Sequence, residues 1–182
     1  MSTRLKLLRQ QHGLSLEQLA QRSGLTKSYV SKVERGLSTP SIASALKLAR
    51  ALAVDVAQLF SPHTEAGELC LTRADQRLRI ERAGDVGRRV EVLAADMAGK
   101  QMQPFVLHPP AEFSDGPAPA GHPGDELVWV LSGEVEMAFP GRHEQLAAGD
   151  CVYFRAELPH RIRRLGEAPA SVLVVIARQP DN

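Results

Sequence analysis

The sequence has few of the features that mark secreted or membrane proteins. It contains two cysteines, Cys70 and Cys151, in 182 residues, which are too few for a disulfide scaffold. Its longest apolar run, Ser171 to Ala177, is far shorter than the roughly 20 residues that span a bilayer. The stretch from Met1 to Lys6 carries charge and shows no apolar secretory segment. These absences predict a cytoplasmic protein with reduced thiols.

Acidic residues are scarce in the first third of the chain. Residues 1–65 contain nine Lys/Arg and four Asp/Glu, a balance of +5, whereas residues 66–182 have a balance of −4. The net charge of +1 hides this asymmetry. A basic segment joined to an acidic one indicates a polyanionic partner for the first part. A solvated basic face would have the same composition, so a motif is needed to decide between them.

Apolar residues follow helical spacing in short segments over the first 60 residues. Ser15, with Gln18 three residues later, is typical of a capping box at the start of a helix. Thr26 is a suitable N-cap for a following helix, whose inward positions are Val30 and Val33. Glycines and the stretch STPS separate the segments. The pattern predicts five helices, the last of them a short one.

The stretch SLEQLAQRSGLTKSYVSKVERGLSTPS, residues 15–41, resembles the helix-turn-helix of the lambda-repressor-like, XRE-type family. The LA pair, the turn glycine, the Glu-x-Gly and the following Pro-Ser all match together. The resemblance implies a five-helix lambda-repressor-like DNA-binding domain over residues 1–61, with residues 26–35 as the recognition helix. The predicted DNA-binding residues are Ser15, Gln21, Thr26, Lys27, Ser28, Ser31, Lys32 and Thr39.

The roles of these residues follow from their places in the motif. A lysine on the outward face of the recognition helix donates to guanine O6 and N7, whereas serine discriminates less between bases. Gln21, Thr39 and the N–H groups of the helix capped by Ser15 are expected to contact phosphates. The family also pairs an arginine of the first helix with the Glu that follows the last apolar residue of the recognition helix. The resemblance therefore predicts a structural ion pair between Arg9 and Glu34.

The apolar period changes from helical to two after a polar stretch, which we assign as a linker over residues 62–70. Glycines and prolines separate the period-two runs, which occur at residues 78–81, 90–93, 128–131, 135–139, 152–154 and 172–176. Many short strands with regular turn signals indicate a sandwich or barrel over residues 71–182. The predicted fold class is therefore multidomain, an α-helical domain followed by a β domain.

Two further stretches, AGHPGDELVWVLSG at 120–133 and AAGDCVYFRAELPH at 147–160, resemble the paired motifs of the cupins. Cupins are double-stranded β-helix barrels of the jelly-roll kind, so the resemblance implies that fold for residues 71–182. A metal-holding cupin usually presents two His and a Glu from the first motif and one His from the second. Here His122, Glu126 and His160 match, but Ala120 occupies the position of the first His.

Three interpretations of His122, Glu126 and His160 remain open. As a 2-His-1-carboxylate set they would hold a divalent metal, with Fe, Mn, Ni or Zn as candidates. Without a metal they would serve as polar anchors in a mostly apolar ligand pocket, the interpretation that we favour, with Tyr153 as a further ligand-binding residue. The third interpretation is a hydrogen-bonded His–Glu pair with no ligand role.

Trp129 alternates with Val128 and Val130 along a predicted strand. If Glu126 faces the interior, both valines face it too, because side chains of a strand alternate between its two sides. Trp129 then faces the other way, where it would pack against another sheet or another subunit.

A helix-turn-helix of the XRE type followed by a single cupin is itself a known architecture, that of one-component transcriptional regulators. It implies a regulator that binds double-stranded operator DNA as a homodimer and responds to an amino acid, a polyamine or a short peptide. We expect a repressor, although the sequence leaves the sign of the regulation open. The rival is a cupin metalloenzyme, a dioxygenase or isomerase, fused to a DNA-binding domain; a third hypothesis is an adaptor whose barrel only dimerises. Ala120 argues against the enzyme, so no catalytic residue is predicted.

Overall fold

The chain folds into two compact units. The computed structural model describes residues 2–60, 68–81, 89–113 and 121–177. One unit comprises residues 1–72 together with Ala94–Lys100, and the other comprises residues 73–93 together with 101–182. Residues 62–67 of the predicted linker, and also Ala120, lie outside the described residues. The boundaries 1–61, 62–70 and 71–182 stay a prediction.

Four α-helices make up most of the first unit. They are α1 (Ser2–Gln11), α2 (Leu16–Ser23), α3 (Lys27–Glu34) and α4 (Ile42–Ala51). The predicted capping box is confirmed, because Ser15 Oγ accepts from Gln18 N and Gln18 Oε1 accepts from Ser15 N. Thr26 caps α3 as predicted, by accepting from the backbone N–H of Tyr29 at 3.2 Å. The helices therefore begin where the polar caps of the sequence predict.

The prediction of five helices is wrong, because the described part of the first unit has four α-helices followed by a single 3₁₀ turn at Val56–Leu59. The turn closes through i→i+3 bonds, from Gln58 N to the carbonyl of Asp55 and from Phe60 N to that of Ala57. The Asp55 side chain makes no capping hydrogen bond to it. Its Oδ2 instead accepts from the backbone N–H of Gly99 at 2.6 Å.

The segment Ala94–Lys100 is fixed by a buried ammonium. Lys100 is 7% exposed and donates to the carbonyls of Ala94 at 2.7 Å and Met97 at 2.9 Å. Burial lowers the pKa of Lys100, and the nearby Asp55 carboxylate opposes that shift only in part. Lys100 thus closes the segment into a loop, and the hydrogen bond from Gly99 to Asp55 joins that loop to the start of the 3₁₀ turn. The residues on either side of the segment in sequence belong to the other unit.

The predicted ion pair between Arg9 and Glu34 is confirmed. Arg9 Nε donates to Glu34 Oε1 at 2.6 Å and Arg9 Nη2 donates to Oε2 at 3.2 Å, while Nη1 donates to the carbonyl of Leu14 at 2.8 Å. The side chains of the pair are 12% and 8% exposed. The hydrogen bond to Glu34 raises the pKa of Arg9, and burial opposes this. The pair therefore joins α1 to the end of α3.

Replacing Arg9 with methionine should lower the free energy of unfolding of the first unit by about 3–5 kcal/mol, because the Glu34 carboxylate stays buried without its partner. Urea titrations followed by helical circular dichroism measure this loss. Adding Glu34→Leu to Arg9→Met removes the orphaned charge and should restore a large part of the stability. A loss below about 1 kcal/mol for Arg9→Met would show that the pair is solvated in solution.

Nine strands form the described part of the second unit, arranged as two antiparallel sheets. The six-stranded sheet has the order β1-β2-β3-β9-β4-β7 and the three-stranded sheet the order β6-β5-β8. The bounds are β1 Leu78–Glu81, β2 Arg89–Val92, β3 Met102–His108, β4 Asp125–Ser132, β5 Glu134–Phe139, β6 Arg142–Ala147, β7 Cys151–Arg155, β8 Arg161–Arg164 and β9 Ser171–Ala177. A 3₁₀ turn at Ala74–Gln76 precedes β1.

Each period-two run of the sequence coincides with a strand to within one residue, so the predicted β domain is confirmed. Strands β3, β6 and β8 were not predicted. Pro104 interrupts the apolar pattern of β3, β6 is mostly polar, and β8 is Arg-Ile-Arg-Arg. In the described part of the smaller sheet the buried residues, Val135, Glu136 and Met137, all belong to β5. The sequences of the flanking strands β6 and β8 therefore need not alternate.

The two sheets pack their apolar sides together. Phe105, Val128 and Val172 of the larger sheet are at most 2% exposed, as are Val135 and Met137 of the smaller one. Gly133, between β4 and β5, has φ 72°, and a Cβ there would lie 2.8 Å from the carbonyl oxygen of Pro169. Only glycine fits this turn, which explains its place in the motif. No helix in the described parts of either unit is long and apolar enough to cross a membrane.

Candidate functional sites

The helix-turn-helix is formed by α2 and α3. Gly24 ends α2 in the left-handed conformation, with φ 64°, and its N–H donates to carbonyls of the last turn. Val30 and Val33 are 0% and 7% exposed, as the predicted inward face requires. The outward face of α3 carries the three residues that the resemblance places at base edges, Lys27, Ser28 and Lys32, and all of them are exposed.

All eight predicted DNA-binding residues are accessible to solvent. Exposed are Ser15, Gln21, Thr26, Lys27, Ser28 and Lys32; Ser31 and Thr39 are partly exposed. They belong to the two ends of α2, to α3 with its cap, and to the loop before α4. Helix-turn-helix proteins present these same parts to the major groove and its flanking phosphates.

Lys27 has an intramolecular partner that the sequence did not indicate. Its Nζ lies 2.5 Å from Glu17 Oε2 on α2, with the side chains 59% and 70% exposed. An ion pair this exposed is worth less than about 1 kcal/mol, so phosphate or base contacts compete with it easily. The side chain of Lys32, by contrast, makes no hydrogen bond or ion pair with the described residues. Lys32 is therefore the freer of the two cations.

A second cluster lies between the two sheets of the other unit. Glu126 on β4 is 4% exposed, and its Oε2 lies 3.1 Å from His122 Nε2 and 3.5 Å from His160 Nε2. The Nδ1 of His160 lies 3.0 Å from the carbonyl oxygen of Leu158, which accepts its proton. Because Nδ1 contacts this carbonyl, Nε2 is the ring nitrogen that faces the Glu126 carboxylate.

Backbone contacts fix the position of His122. Its N–H donates to the carbonyl of Ala156 at 2.9 Å, which joins the segment before β4 to the residue that follows β7. A Cβ on the preceding Gly121 would lie 2.2 Å from the carbonyl oxygen of Glu157. Because backbone cannot give way at that distance, glycine is required there, and any other residue would displace His122.

Two phenylalanine rings adjoin His160. The ring centroid of Phe154 lies 4.8 Å from that of His160, and that of Phe139 lies 6.4 Å away, with 5.2 Å between the two phenylalanines. Phe154 pairs with Glu126 across β4 and β7, so both side chains project to the same side of the sheet. The cluster therefore combines a buried carboxylate and two imidazoles with an aromatic wall.

The structure does not bring Tyr153 to this cluster. Tyr153 pairs with Leu127, one position along from the Glu126–Phe154 pair, and so projects to the opposite side of the sheet. It is 64% exposed, and a hydrogen bond to Asp125 raises its pKa. Phe154, its neighbour in sequence, occupies the wall position that was predicted for Tyr153.

Comparison with known proteins agrees with both halves of this architecture. Residues 5–59 match the family model for the helix-turn-helix, and residues 104–176 match that for the cupin domain. The chain is 28% identical to the HTH-type transcriptional regulator SutR of Escherichia coli (strain K12), over 92% of this chain and 88% of that protein. It is 26% identical to the HTH-type transcriptional regulator PuuR of the same strain, over 86% and 83% respectively.

A crystal structure of an HTH_3 family transcriptional regulator from Vibrio cholerae has the same fold. It aligns with a TM-score of 0.64 at 24% identity, covering 98% of this chain and 94% of that one. The chain belongs to the XRE-type helix-turn-helix transcriptional regulators with a cupin domain. This confirms the family that was predicted from the helix-turn-helix stretch and the two cupin motifs. The rival hypothesis, a cupin enzyme with a DNA-binding domain, is not favoured.

Whether the cupin domain of this regulator holds a metal depends on the donors present. The described residues contain no group of three or more His, Cys, Asp or Glu placed to hold a metal ion. His122 and Glu126 lie at hydrogen-bond distance and satisfy each other. Among the described residues these side chains are not arranged as a three-ligand metal site, so the metal interpretation stays a prediction from the family resemblance.

The phenylalanines of the regulator's cupin site were missed in the sequence. Phe154 shares a side with Glu126 only because of the register between β4 and β7, and one sequence does not reveal that register. Phe139 lies at the end of a predicted strand, on the smaller sheet, and reaches the site because the two sheets pack together. The spacing of the second cupin motif could have indicated Phe154, because it places His160 six residues after that phenylalanine.

Proposed function

We propose that this regulator is a homodimeric repressor whose operator affinity is set by a small metabolite in the cupin domain, a double-stranded β-helix barrel. The observation that carries the proposal is the carboxylate of Glu126, buried between two imidazoles beside two phenylalanine rings. A few polar groups converging in an apolar interior are typical of ligand pockets. In this role His122, Glu126 and His160 orient the ligand without a metal.

The charge of the cluster indicates which ligands suit it. Glu126 already has a hydrogen-bond partner in His122, and a ligand ammonium would add a cationic partner to the same buried carboxylate. The aromatic rings of Phe139 and Phe154 favour a cation with an apolar chain over an anion. An amino acid, a polyamine or a short peptide carries such a group, so the effector belongs to this class.

In the same proposal α3 lies in the major groove of the operator. Lys27, Ser28, Ser31 and Lys32 then face the groove, with Thr26 at its N-terminal end. Gln21, Thr39 and the helix N-terminus capped by Ser15 contact phosphates and set the register of the protein on DNA. A homodimer places two such helices in successive turns of the major groove, about 34 Å apart.

The effector acts by binding one arrangement of the two DNA-binding domains more tightly than the other. Its differential affinity sets the largest shift in operator affinity that it can produce. The cupin domain contributes no chemistry in this proposal, so the protein has no catalytic residue, and it works in the cytoplasm beside the DNA. The domains divide at the boundaries predicted above, with 1–61 reading DNA and 71–182 sensing.

A thermal-shift screen of amino acids, amines and dipeptides against the full chain tests the effector. A ligand at 100 times its dissociation constant stabilises the folded state by about 2.7 kcal/mol. For a chain of this size that raises the melting temperature by about 5 °C or more. We expect hits among compounds with a free amine, and the same hits should change operator affinity in a mobility-shift titration.

N-acetylated counterparts of each hit are the matched control, because they keep the carbon chain and lose the positive charge. If the acetylated compounds stabilise the protein equally, the carboxylate is not the anchor. Complete absence of hits would favour the adaptor whose barrel only dimerises. Stoichiometric iron, manganese, nickel or zinc in protein purified without chelator would favour a metal site and reopen the enzyme hypothesis.

A further inference from the structure

A buried glutamine lies on the inner side of the larger sheet, the side that faces the smaller sheet. Gln103 on β3 is 4% exposed and lies two residues before Phe105, which packs between the sheets. Because the side chains of a strand alternate, Gln103 and Phe105 project to the same side. On β4, Glu126 shares the inner side with Val128, whereas Trp129, 48% exposed, projects to the outer side as predicted. The inner side therefore carries a carboxamide as well as a carboxylate.

Strand register places these two groups in one row across four strands. Gln103 pairs with Ile176 of β9, Ile176 pairs with Glu126 of β4, and Glu126 pairs with Phe154 of β7. All four residues are at most 9% exposed. Neighbouring strands lie about 4.8 Å apart, so the backbones of Gln103 and Glu126 are separated by about 9.6 Å. The apolar side chain of Ile176 lies between the two polar ones.

The other buried carboxylates of this unit are paired on the outer sides of the sheets. The buried polar residues in the described part of the unit are Glu91, Gln103, His122, Glu126 and Glu136. Glu91 and Glu136 alternate with inward-facing apolar residues of β2 and β5, so both project outward, where arginines bind them. Among these buried residues, Glu126 is therefore the one carboxylate that faces the space between the sheets.

We infer that Gln103 binds a second polar group of the effector, and that this group is an amide about 7 Å from the ammonium. The inference rests on the proposed function, in which Glu126 binds the ammonium. Gln103 already has an interaction within the protein. Its carboxamide offers two donors and two acceptor lone pairs, so it can bind a ligand amide as well, by donating to the ligand oxygen and accepting from the ligand N–H. The effector is then a short peptide or an amino amide, not a polyamine.

Charge argues against a second ammonium at the Gln103 end of the row. One buried carboxylate neutralises one cation, and Glu126 is occupied by the first. A second ammonium would be buried with only an uncharged partner, which costs more free energy than one hydrogen bond returns. A ligand amide loses less on leaving water, and two hydrogen bonds with Gln103 compensate for that loss.

The length of the ligand follows from the same row. A chain of two amino-acid residues spans about 7 Å when extended. With hydrogen bonds of about 2.9 Å to a side chain at each end, such a chain fits between Gln103 and Glu126. Its middle then lies against Ile176. Phe154 follows Glu126 in the row, so the aromatic wall adjoins the ammonium end of the ligand and not the amide end.

Three six-carbon amines test the inference on the full chain: 6-aminohexanamide, hexylamine and 1,6-diaminohexane. Each has an ammonium and the same chain length, and in 6-aminohexanamide as many bonds separate the nitrogen from the amide carbon as two residues contain. The wild type should bind the amide at least about 5-fold more tightly than either other amine, because two neutral hydrogen bonds are added. Isothermal titration calorimetry measures the three dissociation constants. Equal or tighter binding of the diamine would show that the inference is wrong.

Two substitutions of Gln103 change this preference in different ways. Gln103→Met keeps an unbranched side chain and removes the amide, so 6-aminohexanamide should bind within about 2-fold of hexylamine. Gln103→Glu adds a second carboxylate, so the diamine should now bind at least about 5-fold more tightly than the amide. Because this variant gains affinity for a ligand, a damaged fold cannot produce the result.

Gln145→Met is the matched control. Gln145 is exposed on β6 and pairs with the outward-facing Glu136, so the same substitution there does not reach the space between the sheets. It should keep the wild-type preference for the amide. If circular dichroism shows that Gln103→Met is unfolded, Gln103→Glu replaces it, and the comparison of the three ligands on the wild type needs no substitution.

Failure of this inference differs from failure of the proposed function. Amine hits that depend on Glu126 but show no preference for the amide overturn the inference alone, as does an amide preference that persists in folded Gln103→Met. The proposed function fails if the thermal-shift screen gives no amine hit, or if Glu126→Gln binds hexylamine as tightly as the wild type does.

Discussion

Lys32→Ala should weaken specific operator binding about 5- to 150-fold for each half-site and flatten the preference among operator sequences. The basis is that a lysine bonded to a guanine edge contributes about 1–3 kcal/mol of discrimination. Lys32 is exposed on the outward face of α3 and has no ion-pair partner among the described residues. Titration of a selected operator and of a scrambled duplex at fixed salt measures both effects.

Lys32 is a better choice for this test than Lys27. Lys27 must give up its contact with Glu17 before it binds DNA, and loss of the lysine also leaves the Glu17 carboxylate near the phosphates. Substitution of Lys27 therefore changes both its DNA contact and the ion pair of Glu17, whereas substitution of Lys32 changes only its DNA contact. Salt dependence provides a check, because a lysine that contacts only phosphate weakens all sequences equally and reduces the salt slope by about one.

Lys47→Ala is the matched control for the loss of one positive charge. Lys47 is partly exposed in the middle of α4, in the same unit but outside the helix-turn-helix. It should leave the sequence preference unchanged and weaken binding less than Lys32→Ala does. The assignment of α3 as the recognition helix is wrong if Lys32→Ala leaves the footprint on the selected operator unaltered. It is also wrong if Lys47→Ala weakens binding to every duplex as much as Lys32→Ala does.

The helices of the first unit could be predicted because their signals are local. Ser15 with Gln18, and Thr26 before α3, each satisfy backbone groups within one turn, so the sequence alone places the caps. Even Arg9 and Glu34, 25 residues apart, were predictable, because the family motif fixes both positions. The prediction of a fifth helix was wrong because the residues after Asp55 form a 3₁₀ turn with i→i+3 bonds. The Asp55 side chain does not cap that turn and accepts a hydrogen bond from Gly99 instead. That contact depends on tertiary structure.

The cupin site could be predicted only in part, because some of its contacts depend on strand register. His122, Glu126 and His160 were found from motif spacing, and the structure brings them together. The choice between Tyr153 and Phe154 as the wall depends on the register of β7 against β4, and a shift of one residue exchanges the two sides of a strand. Outward-facing Trp129 was predictable because it lies on the same strand as Glu126, where alternation alone decides.

Glu126→Ala combined with His160→Ala should abolish the effector response and leave operator affinity without effector unchanged. Removing a buried, charge-assisted anchor costs about 2–4 kcal/mol, which corresponds to a roughly 30- to 1,000-fold loss of effector affinity. Both side chains lie in the cupin domain, whereas the predicted DNA contacts all belong to the helix-turn-helix unit. The measurements are an effector titration by calorimetry and an operator titration with and without effector.

A glutamate and a histidine elsewhere in the same domain provide the control. Glu144→Ala with His143→Ala removes the same side chains from β6, where they are 37% and 60% exposed and pair with Arg142 and Glu136. That variant should respond to effector like the wild type. Glu126→Gln keeps the volume of the side chain and removes its charge, so it distinguishes a lost anchor from a collapsed cavity. If Glu126→Gln binds an amine effector as tightly as the wild type, the ligand does not use this carboxylate and its site lies elsewhere in the protein.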